Sequence, residues 1–416
     1  MQTIKHSSVH FSDTDMFPVL QDGDIVSYVP INFNKIKRND IVVTERNHKT
    51  TIHRVVYTTN RYIITKGDTS VKSDSRVYPH HIRGTVTEIN RNGISFHPDL
   101  LYSMQSTLYL QAINKLVDNF RAHHIQYVLL KGLIVHLKYV RHLPRRLYND
   151  YDVLIKFKDR KRVHSVLTKL GYKQREQNSH FLSALIDKPI ETSYIKEGPV
   201  FPIVVDIHLE PVFTMTQIGR IDELYPQKYI DSLNAEMFDS AVKTKTDGFA
   251  YTLLRQDYLI LYLALHFFHH NFRGIHRLEL LYAVVKKIPP GKRTEVWTSM
   301  AEQIIRFKLN NYIYGAFFAL RKYFSFSPPA FFLNMTQPSE TVKKNIRYMF
   351  HSNLVFEGYD NVNEEIELFR NLFHFSYRPL IIKLLVFLRP ATIYLVMRVL
   401  YVKLSDKLRR LLQVAY

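Results

Sequence analysis

The 416-residue chain contains no cysteine. That absence excludes a disulfide framework, a thiolate nucleophile and any Cys-ligated zinc or iron–sulfur centre, and it points to a reducing, intracellular compartment. Met1–Phe17 lacks the apolar core of a secretory signal, and no apolar run reaches the ~18 residues a spanning helix needs. A cytoplasmic protein is the expectation. Acidic residues are scarce, 37 Asp+Glu against 57 Lys+Arg, and the formal net charge is +20. Such an excess favours polyanionic partners such as nucleotides, nucleic acid or acidic lipid, but it bears on association and not on fold. With 46% hydrophobic residues the composition is that of a folded chain, long enough for two or three domains. There is no internal repeat and no low-complexity segment.

What is present divides the chain in three. Residues 1–98 carry short apolar or β-branched runs (24–30, 40–44, 51–57, 62–65 and 82–89) separated by turn chemistry such as Asp22-Gly23-Asp24 and Gly67-Asp68, which predicts a small barrel or sandwich. After Pro98-Asp99 the spacing of Leu108, Ile113, Leu116, Val117 and Phe120 becomes helical. Residues 99–250 then alternate strands and helices: a strand at 127–130, Lys131-Gly132, a helix to Val140, a basic loop, a strand at 150–155, a helix at 159–170 and a later strand at 200–209. From 251 to 416 the pattern is mostly helical, with amphipathic stretches at 257–287, 296–324 and 340–350. The fold class expected is α+β and multidomain. In the tail, 377–416, Met397, Leu400, Leu404, Leu408 and Leu411 share one helical face and Arg398, Lys403, Lys407 and Arg410 lie elsewhere. That helix either docks on its own core or meets an anionic membrane surface or nucleic acid.

Asp150 and Asp152 alternate on a predicted strand, so their carboxylates leave one face about 7 Å apart along the backbone. With Asp206 on another strand they form a candidate site for Mg²⁺, the ion that nucleotidyl transfer needs to offset charge developing on phosphate. The plainer alternative makes Asp150 turn chemistry after Asn149 and Asp152 structural. Lys131 and Gly132, in a turn before a helix N-terminus, and Arg146 are candidate triphosphate contacts. His266 and His270, four apart on a helix, have a metal-capable spacing, but packing or capping at the helix end is the commoner role of such pairs.

The ordered set of Leu129-Leu-Lys-Gly132, Arg146, Asp150-Tyr-Asp-Val-Leu154, Leu170-Gly-Tyr172 and Val205-Asp-Ile-His208 resembles the uncharacterised nucleotidyltransferase family associated with peptide and natural-product gene clusters. The resemblance runs from about Leu101 to Leu281, where Leu259–Phe268 with His266 and then Leu278-Glu-Leu-Leu281 look like its helical motifs. It implies a nucleotidyltransferase fold, an NTP substrate, Mg²⁺ and the carboxylates Asp150, Asp152 and Asp206. Lys131-Gly132 stands where nucleotidyltransferases in general carry Gly-Ser or Gly-Gly, and Glu279 stands where the family has Asp.

In residues 10–90, five ordered blocks (Asp15–Asp24, Arg38–Val42, Thr51–Val56, Thr65–Asp68 with Asp74, and Gly84–Val86) resemble the peptidase domain of the signal peptidase I and LexA clan. The resemblance implies His53 at the general-base position and Asp15 at the nucleophile position, where the clan has Ser. A carboxylate is a poor nucleophile towards an amide, and Asp15 beside His53 forms an ion pair instead of a dyad. Ser12 fits only through a register shift. A proteolytically inactive module is therefore expected, either peptide-binding or merely stabilising. The leading expectation is a Mg²⁺-dependent transfer of NMP from an NTP to an unknown acceptor, a peptide or protein among the candidates. The alternative is a non-catalytic peptide-binding or scaffold protein of a modification pathway.

Overall fold

The computed structural model describes residues 7–140, 144–175, 190–198, 201–213, 219–246, 248–358, 361–397, 401 and 404. Most of the basic tail, including Arg398, Leu400, Lys403, Lys407, Leu408, Arg410 and Leu411, lies outside them, as do Arg141–Leu143 of the basic loop.

Two sheets organise the chain. The first is built from β1 (Ser7–His10), β2 (Ile25–Val29), β3 (Ile41–Arg46), β4 (Lys49–Thr58), β5 (Ile63–Lys66), β6 (Ile82–Arg91) and β7 (Ile94–Phe96), in the order β1-β2-β6-β3-β4-β5 with β7 on β6. The barrel expectation is corrected in one respect, since among the described residues this sheet does not close. The free side of β5 is covered locally: Ile63 pairs with Val77, and the Asp74 amide donates to the Thr65 carbonyl. With that edge already bonded, closure onto β1 is not needed to satisfy the backbone. Alternation along the strands gives two apolar faces, one with Val26, Val43, Ile52 and Ile89 and the other with Val42, Val55, Ile63 and Val77.

The second sheet comprises β8 (Tyr127–Leu129), β9 (Tyr151–Ile155), β10 (Lys173–Gln174), β11 (Glu191–Lys196), β12 (Ile203–His208), β13 (Val242–Thr246) and β14 (Phe249–Leu253), ordered β10-β11-β12-β9-β8-β14-β13. Its central strands are rich in buried apolar residues because helices cover them. Early among these are α1 (Asp99–Ala122), α2 (Leu133–Val140), α3 (Arg160–Lys169) and α4 (Gln227–Asp239), and they are followed by a helical layer of α5 (Gln256–His269), α6 (Ile275–Lys286), α7 (Arg293–Arg306) and α8 (Asn310–Phe324). At 24 residues, or about 36 Å, α1 serves both sheets. Leu101 and Tyr102 pack into the first sheet's core, while Tyr109, Ile113, Leu116, Val117 and Phe120 pack into the second.

The sequence pattern merged helices that the structure separates. The expected 257–287 stretch breaks between α5 and α6, where Asn271, Phe272 and Gly274 take positive φ, and 296–324 breaks at Lys308 for the same reason. Apolar spacing continues across such breaks because both halves bury the same face. Helix α5 is apolar nearly all round since neighbours pack on every side. Its first turn is fixed by Asp257, which accepts from Arg255, Ser299 and Gln303 at 2.7 to 2.8 Å.

Gly84 marks the tightest strand contact, since a Cβ there would lie 2.2 Å from the Val29 carbonyl oxygen across the β2–β6 pairing. A backbone oxygen cannot rotate aside. Gly84→Val is expected to lower stability by about 1–3 kcal/mol, read as a fall in melting temperature; an unchanged melting point would mean that β2 shifts freely.

Candidate active site

Strand register assembles the site. Strands β9 and β12 run parallel with Asp152 opposite Asp206, and β11 pairs antiparallel with β12 so that Ser193 faces Asp206 and Glu191 faces His208. Steps of two along each strand keep Asp150, Asp152, Asp206, His208, Glu191 and Ser193 on one face. Carboxylate oxygens of Asp150, Asp152 and Asp206 all lie within 4.8 Å of one another. Asp150 sits just before β9, at its entry.

Like charges this close need counter-charges, and the fold supplies two. The Lys131 ammonium lies 2.5 Å from Asp152 Oδ2 and 3.3 Å from Asp150 Oδ1. His208 Nε2 lies 3.0 Å from Asp152 Oδ1, and its Nδ1 is 3.6 Å from Glu191 Oε2. Burial alone would depress the His208 pKa, but the charge of Glu191 and then the hydrogen bond of Asp152 raise it to about 9, so the ring is cationic at neutral pH. Burial opposes ionisation of Asp152 as well, yet Lys131 and His208 outweigh it and its pKa is lowered. Asp206 goes the other way. Burial and the charges of Asp150, Glu191 and Asp152 raise its pKa, while the Ser193 hydroxyl, donating at 2.5 Å, opposes them. A divalent cation among the three oxygens would reverse that balance, and an all-carboxylate donor set suits a hard cation.

Sequence reasoning assigned Lys131 to phosphate; the structure instead sets its ammonium against the carboxylates. Gly132 follows at φ 95°, a conformation that favours glycine, and α2 begins at the next residue. Arg146 stacks on Tyr148 at 4.1 Å and lines the neighbouring cleft together with Gly132 and Asp150. Tyr262, His266 and His269 of α5 and His270 at its cap close the carboxylate pocket, a cavity of about 130 Å³. His266 and His270 touch each other through Nε2 at 3.1 Å, and His270 Nδ1 meets Glu364 at 2.7 Å. Burial first, then nearby cations, hold both rings well below the usual histidine pKa. Among the described residues the metal-capable cluster is the aspartate triad alone.

His208, Glu191, Ser193 and Tyr262 received no role from sequence. His208 had a signal, its step of two from Asp206. Glu191 had none, because only the β11–β12 pairing brings it in.

In the first sheet, His53 lies between two carboxylates, Asp15 at Nε2 and Asp74 at Nδ1, the latter at 2.6 Å. Asp74 also accepts from Thr65 at 2.6 Å. Both ring nitrogens are engaged, so neither can take a proton from a hydroxyl. Glu279 pairs with Arg38 of the first sheet at 2.7 Å.

Residues 100–325, more than half of the chain, match the family described as uncharacterised nucleotidyltransferase. The chain belongs to this uncharacterised nucleotidyltransferase family. The matched span contains the whole aspartate triad of this nucleotidyltransferase family member, and it starts after the first sheet has ended. No curated protein matches the chain. Two solved structures are similar at a low level. The antibiotic-resistance factor ANT(2'')-Ia is 12% identical over 50% of this chain and 94% of its own, with a TM-score of 0.31. An antigenic nucleotidyltransferase-like protein from Paracoccidioides brasiliensis is 14% identical over 51% and 91%, with a TM-score of 0.28. Neither carries weight beside the family match and the site's own geometry.

The His53 arrangement makes a pH prediction. Burial would lower its pKa, but Asp74 and then Asp15 outweigh that and raise it. A raised folded-state pKa stabilises fully below the unfolded value of about 6.5 and loses that contribution as pH rises through the folded value. Melting temperature between roughly pH 6 and 9 should therefore fall more steeply in the wild type than in His53→Gln. Parallel profiles would show that the ring carries no charge.

Proposed function

We propose that this protein is a Mg²⁺-dependent nucleotidyltransferase that moves an NMP unit from an NTP to an acceptor hydroxyl or phosphate. The observation that carries the reading is the convergence of Asp150, Asp152 and Asp206 within 4.8 Å, beside a Lys-Gly turn at a helix start. Bound there, Mg²⁺ would offset charge on the α-phosphate and the leaving pyrophosphate. The acceptor oxygen forms a bond to the α-phosphorus, the bond from that phosphorus to the bridging oxygen breaks, and pyrophosphate departs. The acceptor proton passes to Asp206, which stands opposite Asp152 across the β9–β12 pairing. Gly132 and Arg146 contact the triphosphate, and Lys131 would join them if a cation took its place at the carboxylates.

In this reading residues 1–98, 99–250 and 251–416 form three units, the first a degenerate relative of the signal peptidase I and LexA clan. The contact between Asp15 and His53 supports loss of peptidase chemistry and leaves the module a peptide-presenting role. An Asp206 standing far from Asp150 and Asp152 would have favoured the scaffold alternative, and the cluster supports the transfer reading instead. The test is Mg²⁺-dependent pyrophosphate release across the four NTPs with candidate peptide acceptors. Asp150→Ala and Asp152→Ala should each lower the rate by on the order of 100-fold or more, and equal rates in all three proteins would sink the assignment.

A second reading concerns location. No single helix among the described residues is long and apolar enough to cross a membrane; Leu380–Leu388 and Pro390–Met397 pass that test only together, bent by 77°. Yet Leu380, Ile381, Leu388, Met397, Tyr401 and Leu404 are each at least 60% exposed, in a tail with an excess of Lys and Arg. Such a face supports peripheral contact with an anionic membrane surface. Co-sedimentation with anionic vesicles should be salt-sensitive and should be lost in Ile381→Glu/Leu388→Glu; equal recovery with neutral vesicles would remove the electrostatic part.

A further inference from the structure

The carboxylate pocket opens into a larger cleft of about 530 Å³. One wall belongs to the nucleotidyltransferase region, with Gly132, Arg146 and His276; the facing wall comes from the first sheet, with Phe17, Lys66 and Thr69. Lys66 ends β5 and is only partly exposed. Its ammonium donates to the Gly67 carbonyl at 3.3 Å, and among the described residues no carboxylate lies within ion-pair distance. The acids near it are committed elsewhere: Asp68 forms a bidentate pair with Arg54 at 2.6 Å, and Asp74 serves His53 and Thr65. A half-buried ammonium without an anion is costly. Arg146 is similar, stacked on Tyr148 and without a carboxylate partner among the described residues.

We infer that Lys66 and Arg146 are the two sides of a phosphate seat, so that the first sheet completes the binding site of a phosphorylated ligand beside the aspartate cluster. Both side chains line the same cleft as His276, whose pKa burial lowers first and the charges of Arg146, Arg277, Lys131 and Lys66 lower further. The walls are held at fixed separation by Arg38 on Glu279 at 2.7 Å and by Arg145, which bridges Asp40 at 2.8 Å to Asp99 at 3.0 Å. A bidentate Arg facing a point-charge Lys across a cleft matches a phosphate group better than it matches a peptide backbone. The phosphate is either the tail of the NTP, an assignment that rests on the nucleotidyl-transfer reading, or a phosphate carried by the acceptor. The seat itself rests on neither.

The test is calorimetric titration of the full-length chain with tripolyphosphate and with each Mg·NTP, in the wild type, Lys66→Met, Lys66→Arg and Arg146→Met. Methionine keeps the length of the side chain and removes the charge, and melting temperatures check that each variant folds. Lys66→Met should weaken tripolyphosphate binding about tenfold, and Lys66→Arg should recover most of it. A parallel loss for every NTP assigns the seat to the triphosphate, whereas a loss for tripolyphosphate alone assigns it to the acceptor's phosphate. If the wild type binds tripolyphosphate but releases no pyrophosphate from any NTP, the seat stands and the transfer reading falls. Wild-type affinity in a folded Lys66→Met, or no tripolyphosphate binding by the wild type, overturns the inference.

Discussion

The parallel pairing of β9 with β12 forces Asp152 and Asp206 into adjacent positions, and the rest of the site is a response to that placement. Two unit charges about 4 Å apart repel by about 4 kcal/mol at the effective dielectric of a partly buried site. With Asp150 and Glu191 close by, the repulsion exceeds what a marginally stable domain tolerates without compensation. Lys131 and His208 compensate on one side of Asp152, and on the other side Asp206 gives up part of its acidity. The arrangement is held in tension by the backbone ladder, whose hydrogen bonds do not depend on pH or metal. A divalent cation entering the cluster does not have to build the site. The oxygens that would hold it are already positioned, and Lys131 is the counter-charge it would replace.

Rigidity at the carboxylates contrasts with the composite nature of the cleft beside them. One helix, α1, is shared between both hydrophobic cores, and ion pairs at Arg38 and Arg145 reinforce the link. Tyr57 adds ring contacts at 5.8 Å to Tyr323 and 5.0 Å to Phe356. These contacts are partly apolar and partly ionic, and Ile64 of β5 is itself buried in the core of the second sheet. The cleft's shape therefore depends on a joint outside the span that matches the family.

Which parts of this were legible in the sequence follows from the range of each interaction. The Asp150/Asp152 alternation is local and periodic, so it was readable, as were the Lys131-Gly132 turn and the start of α1 at Pro98-Asp99. Asp206 was readable only because its strand carries a single acid in an apolar run; the distance to Asp152 is a matter of sheet order. Glu191 and Lys66 left no trace, since their roles arise from a cross-strand register and from two sheets facing each other. The open edge of the first sheet was missed for a related reason: its cover is a bridge between Ile63 and Val77, which has no periodic signature. The helix break at Asn271–Gly274 was hidden by apolar spacing that continues on both sides of it.

The first sheet holds a second cluster of partly buried charge, centred on His53. Asp15 meets His53 at one ring nitrogen, and Asp74 meets it from the opposite side. Two carboxylates on one imidazole fix a cation and remove its capacity to act as a base. The same pairing ties the start of the chain to the Thr65–Asp74 segment, and the Thr69 amide adds a hydrogen bond to the Asp15 carbonyl at 2.8 Å. That segment is also the one that carries Lys66, Gly67 and Thr69 to the cleft. The contacts of His53 with Asp15 and Asp74 therefore act as a clamp, and what the clamp positions is the wall facing the aspartate cluster.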